Sequence, residues 1–306
     1  MARPIVVGVG GDSGAGKSTL CEGLKAIFGA GRIVEVCLDD YHAFDRAQRK
    51  AAGLTALNPR ANDLAAMEAD LCRLARGETV SKPVYDHRDG TFGAREAVTP
   101  NDIVLVHGLF PLYTRRLRSL FDVSVWLDPQ IDVKVAWKVL RDTSRRGYTE
   151  DQVRAEIAAR QPDIDAYIAP QRRHADLRLS FLRPAEQTDD ARLDARIILG
   201  GRFPSPDDHH FASRSTHLRR IEGGDGPFPR TIIELDGDID DGTAVAVQAE
   251  IRRTMGTRHV GGEAGPVGAF SDARGTRVSH PLAIAQLLIA RRICRVLDER
   301  AGAVAA

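Results

Sequence analysis

Short apolar runs alternate along the chain with stretches of helical spacing. Ile5-Val6-Val7-Gly8-Val9 is apolar and β-branched, the signature of a strand buried on both faces. From Ser18 to Phe28, Leu20, Leu24, Ile27 and Phe28 fall on one helical face. Ile33-Val34-Glu35-Val36-Cys37-Leu38 predicts a second strand, ending at Asp39-Asp40-Tyr41-His42. Asp63 is placed to cap a helix through Leu64, Met67, Leu71 and Leu74, which Gly77 stops. Val80–Tyr85 and Arg95–Val98 read as a hairpin around Asp89-Gly90. Ile103–Val106 and Val123–Leu127 are further strands of a parallel core, with His107 directly after the first. Helix is expected from about Ile131 to Arg146, then over Glu150–Arg160 and Ile164–Arg173, with Pro162 between the last two.

After Leu182 the pattern changes. Pro184 to Asp194 is polar and acidic, Leu193–Leu199 and Thr231–Leu235 read as strands, and Thr243–Met255 and Pro281–Arg300 as helices. Gly201 to Arg230 and Gly256 to His280 are poor in large aliphatics and rich in Gly, Pro and charge, so both read as long loops. Asp236–Gly242 looks like a calcium loop, but its glycine is misplaced and Val247 stands where the twelfth position needs Glu. It reads as a turn, with Asp241 or Gly242 capping the next helix. His209-His210 has no second ligand pair at metal spacing.

Between the first strand and the first helix lies Gly11-Asp12-Ser13-Gly14-Ala15-Gly16-Lys17-Ser18, followed by Thr19. This is G-x-x-x-x-G-K-[ST] in the strand–loop–helix context the motif requires. Its glycines let backbone N–H groups close around phosphate oxygens, and the helix N-terminus adds positive potential. Lys17 can reach the β- and γ-phosphates, and the Ser18 hydroxyl can hold Mg²⁺. A nucleoside triphosphate such as ATP and Mg²⁺ follow; the acceptor does not.

Composition narrows the setting. The 306 residues are 43% hydrophobic and carry a net charge of +1, so there is no electrostatic footprint for nucleic acid or a membrane surface. No apolar run is long enough to cross a bilayer, and the first strand begins too early to leave room for a signal peptide. Cys21, Cys37, Cys72 and Cys294 are widely spaced, which fits reduced thiols in a cytoplasmic protein.

Two further clusters carry charge. Asp39 and Asp40 follow a strand end, where ligands bind in open α/β sheets; the alternative is a solvated turn pair. Lys138, Arg141 and Arg145 share a helix face, with Asp142 and Arg146 beside them. That pattern suits either a solvated helix or a basic lid closing over phosphates.

Taken together these segments resemble phosphoribulokinase, in its plant, cyanobacterial and archaeal branch. The likeness is carried by Cys37-Leu-Asp-Asp-Tyr-His42, Asp45-Arg46, Arg49-Lys50, Gly53 to Asn62, Lys82-Pro-Val-Tyr-Asp-His87, Ala136-Trp-Lys-Val-Leu-Arg-Asp142, Arg146-Gly147, Arg160, Pro162-Asp163, Pro170-Gln171 and His174-Ala-Asp176. The resemblance implies a P-loop kinase fold: a mixed, mainly parallel sheet flanked by helices over residues 1–183, with a C-terminal α/β extension over 184–306 packed on that core. It implies ATP-dependent phosphorylation of the 1-hydroxyl of ribulose 5-phosphate, with Asp39 as the base. Arg46, Arg49, Lys50, Tyr85 and His87 would hold the acceptor; His107, which follows a strand at the carboxyl end of the sheet, is expected to contact it too. Lys138, Arg141 and Arg146 would bind phosphates or steady transferring charge, and Ser18, Asp39 and Asp142 would serve the metal. A homodimer is expected.

The chain departs from that family where His107-Gly-Leu-Phe-Pro111 replaces the usual Glu-Gly-Leu-His-Pro, where Asp86 replaces Asn, and where Ala15 stands in place of the cysteine of the thioredoxin-regulated members. Two rivals therefore stand beside the kinase reading: a kinase for another pentose phosphate or a nucleoside, and a nucleotide-binding regulator without turnover.

Overall fold

The computed structural model describes residues 3–200, 217–223, 230–256 and 267–305. It falls into two compact units. One takes Met1–Lys17, Gly31–Asp122 and Val135–His174; the other takes Ser18–Ala30, Val123–Lys134 and Ala175–Ala306. The strands are β1 (Ile5–Gly11), β2 (Ile33–Cys37), β3 (Val80–Lys82), β4 (Tyr85–Asp86), β5 (Thr91–Phe92), β6 (Glu96–Val98), β7 (Ile103–Gly108), β8 (Val123–Leu127), β9 (Leu177–Leu182), β10 (Asp194–Leu199), β11 (Leu218–Gly223), β12 (Arg230–Leu235), β13 (Ala269–Asp272) and β14 (Gly275–Val278). The helices are α1 (Lys17–Phe28), α2 (Arg46–Ala51), α3 (Leu64–Leu74), α4 (Arg115–Leu120), α5 (Ile131–Arg146), α6 (Glu150–Asp163), α7 (Asp241–Met255) and α8 (His280–Ala305). The sheet strands run in the order β1-β7-β2 in the first unit and β11-β12-β10-β9-β8 in the second, with helices flanking both.

In the first unit β1 is buried along its whole length, as its unbroken apolar run requires. It pairs in parallel with β7, Ile5 opposite Ile103 and Gly10 opposite Gly108, and β7 pairs in parallel with β2. The carboxyl ends of these three strands carry the phosphate loop, His107 and Asp39. Gly8 lies against the Phe121 ring: a Cβ there would stand 2.8 Å from it. Asp63 caps α3 through the backbone N–H of Ala66.

The expected hairpin from Thr79 to Val98 forms as two short ladders, β3 with β6 and β4 with β5. Pro83 lies between β3 and β4 and has no N–H to give a ladder. Pro162 lies inside α6 rather than between helices. Beyond it the chain makes a π-helical turn, Ile164–Ile168, and a 3₁₀ stretch, Ala169–His174, where a continuous helix was expected.

In the second unit β8 and β9 are parallel, and β10, β12 and β11 continue as antiparallel neighbours. Strand β9 escapes a reading by helical spacing because it alternates: Leu177, Leu179 and Phe181 are buried, while Arg178, Ser180 and Leu182 are half-buried. The loop expected over Gly201 to Arg230 contains β11, and that over Gly256 to His280 contains the β13–β14 hairpin. The rest of both stretches, His209-His210 included, lies outside the described residues. The cap of α7 is Asp240, whose side chain accepts from Thr243 N, not Asp241 or Gly242.

Candidate functional site

The phosphate loop leaves β1 at Gly11 and enters α1 at Lys17. Gly14 and Gly16 have φ of 85° and 90°, a region that favours glycine, and a Cβ on Gly16 would touch the Trp137 ring at 3.4 Å. Lys17 Nζ donates to the carbonyls of Gly11 (2.9 Å) and Asp12 (2.8 Å). The ammonium is thus folded back over the loop. Burial lowers its pKa, against the opposing pull of Asp39 and Asp12.

Asp39 and Asp40 share a single turn after β2 but have separate surroundings. Asp40 is buried; its Oδ2 accepts from Lys82 Nζ at 2.6 Å and its Oδ1 from Tyr85 N at 2.9 Å. Burial alone would raise the Asp39 carboxyl. The cation of Lys17 and the imidazoles of His42, His87 and His107 outweigh that and hold it below the ordinary carboxylate range. Asp39 is therefore ionised at neutral pH, the state a proton acceptor needs.

His42 belongs beside it. The Asn62 amide donates to the carbonyls of Ala56 (3.0 Å) and Asn58 (2.9 Å), so its oxygen faces His42 Nδ1 at 2.8 Å. Nδ1 then carries the hydrogen, and Nε2 is left as an acceptor. Burial pushes the ring down to about 4, so it is neutral in the working range. The position was visible as the last residue of Cys37–His42, but nothing in the sequence pairs it with Asn62.

Around His42 stands the expected acceptor cluster. Tyr85 meets His42, His87 and Phe92 edge-on, at centroid distances of 4.7, 5.1 and 5.5 Å. Arg49 is buried; it donates to Tyr85 Oη at 2.6 Å and to the Phe44 carbonyl at 2.7 Å. Arg46 donates to the carbonyls of His87 (2.5 Å) and Arg88 (3.3 Å) and lies over Gly90. Lys50 lies in the last turn of the same short helix and is exposed. Arg46, Arg49, Tyr85 and His87 are thus brought together, and Lys50 shares their helix.

The basic helix α5 is organised on one carboxylate. Asp142 is 1% exposed and takes Lys138 at 2.6 Å, Arg141 at 2.8 Å and Arg146 at 3.3 Å. Burial opposes its charge, yet the bonds from Arg141 and Lys138 hold its pKa down to about 2. Arg141 also donates to Ser13 Oγ of the phosphate loop at 3.2 Å. Both oxygens of Asp142 already hold cations, an arrangement suited to fixing three basic groups and unsuited to ligating a metal. Among the described residues no cluster of three or more His, Cys, Asp or Glu forms a metal cage. His107, at the end of β7, is paired with Glu35 of β2, a partner the sequence reading passed over.

Comparison with known proteins fits this geometry. Residues 6–187 match the model of the phosphoribulokinase / uridine kinase family, and the chain belongs to that family. It is 43% identical over 198 residues to a phosphoribulokinase of Synechocystis sp., an alignment covering 64% of this chain and 60% of the relative. It is 30% identical over 181 residues to a uridine kinase of Bacillus pumilus, covering 58% and 86%. The chain thus spans less than two thirds of the phosphoribulokinase. Among solved structures, a phosphoribulokinase from Rhodobacter spheroides shares the fold, with a TM-score of 0.61 at 20% identity over 82% of this chain and 97% of that one.

Proposed function

We propose that the chain transfers the γ-phosphoryl group of ATP to the 1-hydroxyl of ribulose 5-phosphate. The observation that carries this is the ionised Asp39, set in the field of Lys17 and of three imidazoles, beside the Arg46–Arg49–Tyr85–His87 cluster. In this reading Asp39 takes the proton of the attacking hydroxyl, the oxygen displaces ADP from the γ-phosphorus, and Lys17 and Arg141 offset the charge on the phosphates. Lys138 and Arg146 form the remainder of the lid. His42 Nε2 accepts from a second hydroxyl of the acceptor. Arg46 and Arg49 exchange backbone and tyrosine oxygens for phosphate oxygens, which are better partners for a guanidinium.

Mg²⁺ suits oxygen donors, so Ser18 and Asp39 fit it and Asp142 does not. When bound, the ion offsets phosphate charge. The division at residue 183 is part of this proposal, supported by a family match that ends at 187. So are a cytoplasmic setting, supported by four free cysteines, and a homodimer, which the molar mass in solution tests.

A nucleoside acceptor is the second reading, favoured by the 86% coverage of the uridine kinase. It would leave the buried Arg49 without a phosphate to meet. A coupled ADP-release assay over pentose phosphates and nucleosides separates the two. Ribulose 5-phosphate should give the highest kcat/KM, and preference for a nucleoside would overturn the proposal.

A further inference from the structure

His107 closes the apolar run of β7, with its side chain 13% exposed. Glu35, on the neighbouring strand β2, reaches the ring: its Oε1 lies 2.9 Å from Nε2. The strands are parallel, with Glu35 opposite Leu105 and Cys37 opposite His107. Residues two apart share a face, so the Glu35 carboxylate lies on the side of the sheet that carries the imidazole, one pleat back.

An ionised carboxylate accepts hydrogen bonds and donates none. Across 2.9 Å the carboxylate repels a lone pair on Nε2 and attracts a hydrogen there, so the neutral ring carries its hydrogen on Nε2 and keeps its lone pair on Nδ1. Nδ1 has no hydrogen-bond partner among the described residues. When protonated, His107 lowers the Asp39 carboxyl, as His42 and His87 do, so the ring lies within electrostatic reach of the base. His42 is held by the same logic in the opposite sense: Asn62 fixes the hydrogen on Nδ1 and leaves Nε2 open.

We propose that Glu35 is a positioning residue that fixes the Nε2–H tautomer of His107, so that Nδ1 is presented at the end of β7 as an acceptor for a hydroxyl of the sugar phosphate. The tautomer follows from Glu35 and His107 alone; the hydroxyl clause rests on the function proposed above. A lone pair at that place favours a ligand atom that brings a hydrogen and disfavours a carbonyl oxygen, so Glu35 acts on acceptor choice without touching the acceptor.

The test uses the full chain labelled with ¹⁵N-histidine. Long-range ¹H–¹⁵N spectra, recorded above the imidazole titration and assigned by loss of the signal in His107→Asn, should show His107 as Nε2–H. Glu35→Gln keeps the shape, but its amide can donate to Nε2. It should move the ring population toward Nδ1–H at an unchanged melting temperature. Glu35→Asp keeps a carboxylate and should retain Nε2–H. In kinetics, Glu35→Gln should raise the KM of the sugar phosphate about tenfold, as for one lost hydrogen bond, and leave the KM of ATP unchanged. A wild-type ring in the Nδ1–H form, or a Glu35→Gln ring that does not move, overturns the tautomer assignment. A moved tautomer with an unchanged acceptor KM overturns the hydroxyl clause. If the protein turns over no sugar phosphate, the proposed function and the hydroxyl clause both fall, and the spectra still decide the tautomer.

Discussion

Lys82 donates to Asp40 across 2.6 Å, with side-chain exposures of 6% and 12%. The pair fastens the end of β2 to the β3–β4 segment, and Tyr85 N adds a second bond to the same carboxylate. Asp40 is therefore a structural residue. Asp40→Asn leaves the Lys82 ammonium buried, with the Pro83 carbonyl at 3.3 Å and, among the described residues, only the largely exposed Glu96 at 3.3 Å as a carboxylate. The expected cost is about 3 kcal/mol of folding stability, typical of breaking a buried pair from one side. Urea unfolding measures it, and an unchanged midpoint would remove Asp40 from the framework.

Asp39→Asn should do the reverse. The fold and ATP binding survive, because Asp39 anchors no neighbouring element, while kcat falls roughly 10²-fold or more with the loss of a placed proton acceptor. Steady-state kinetics beside a nucleotide titration separates the two effects. A loss of stability with kcat retained would exchange the roles of the two aspartates.

These two adjacent residues show how far the sequence could be read. The strand–loop–helix around Lys17 was legible because local pattern determines it: an apolar run, glycines at positive φ, then an amphipathic face. That Asp39 and Asp40 end a strand was legible for the same reason. Which of them is free to act was not, because Lys82 lies 42 positions away in sequence and only the tertiary fold brings it to Asp40. The pairs His42–Asn62 and Glu35–His107 were hidden in the same way. Strand β9 was missed because its alternate Arg178 and Ser180 dilute an apolar signal that pairing with β8 and β10 makes decisive.

Asp142 is expected to act through the cations it holds. Asp142→Asn removes the charge that gathers Lys138, Arg141 and Arg146, and mutual repulsion then spreads them. kcat should fall at least tenfold, and the KM of ATP should rise with it, since Arg141 also meets Ser13 of the phosphate loop. If Asp142 instead served only the metal, raising Mg²⁺ would restore the variant. Kinetics over a range of Mg²⁺ should show no such rescue.

Oxidation should leave the protein unchanged. All four cysteines are free, and Ala15 in the phosphate loop offers no thiol to Cys37. The Cys37 thiol is raised well above its ordinary value, by burial first and then by Asp39 and Asp40. A protonated thiol is a poor nucleophile and exchanges disulfides slowly. Treatment with oxidant and then dithiol should leave ADP release within error of the untreated protein. Reversible inactivation would point to Cys21 or Cys72.

The last expectation concerns acid. His42 titrates at about 4 in the folded protein, against an ordinary 6.5, because burial disfavours the charged ring more than Asp39 favours it. The unfolded chain therefore binds a proton at this residue before the folded one does. Stability is full above pH 6.5 and is lost as pH falls from there toward 4. The shift corresponds to roughly 3 kcal/mol over that window, at about 1.4 kcal/mol per pKa unit. His42→Gln lowers stability at neutral pH, since it disturbs the bond to Asn62, but it removes the titration. Unfolding free energies of wild type and variant at intervals between pH 7.5 and 4 should therefore converge as the medium becomes more acid. Parallel curves would mean that the imidazole titrates in the folded protein as it does unfolded, open to solvent, and curves that diverge in acid that it is charged when folded; in either case Nε2 could not be the fixed acceptor that the proposed chemistry assigns to it.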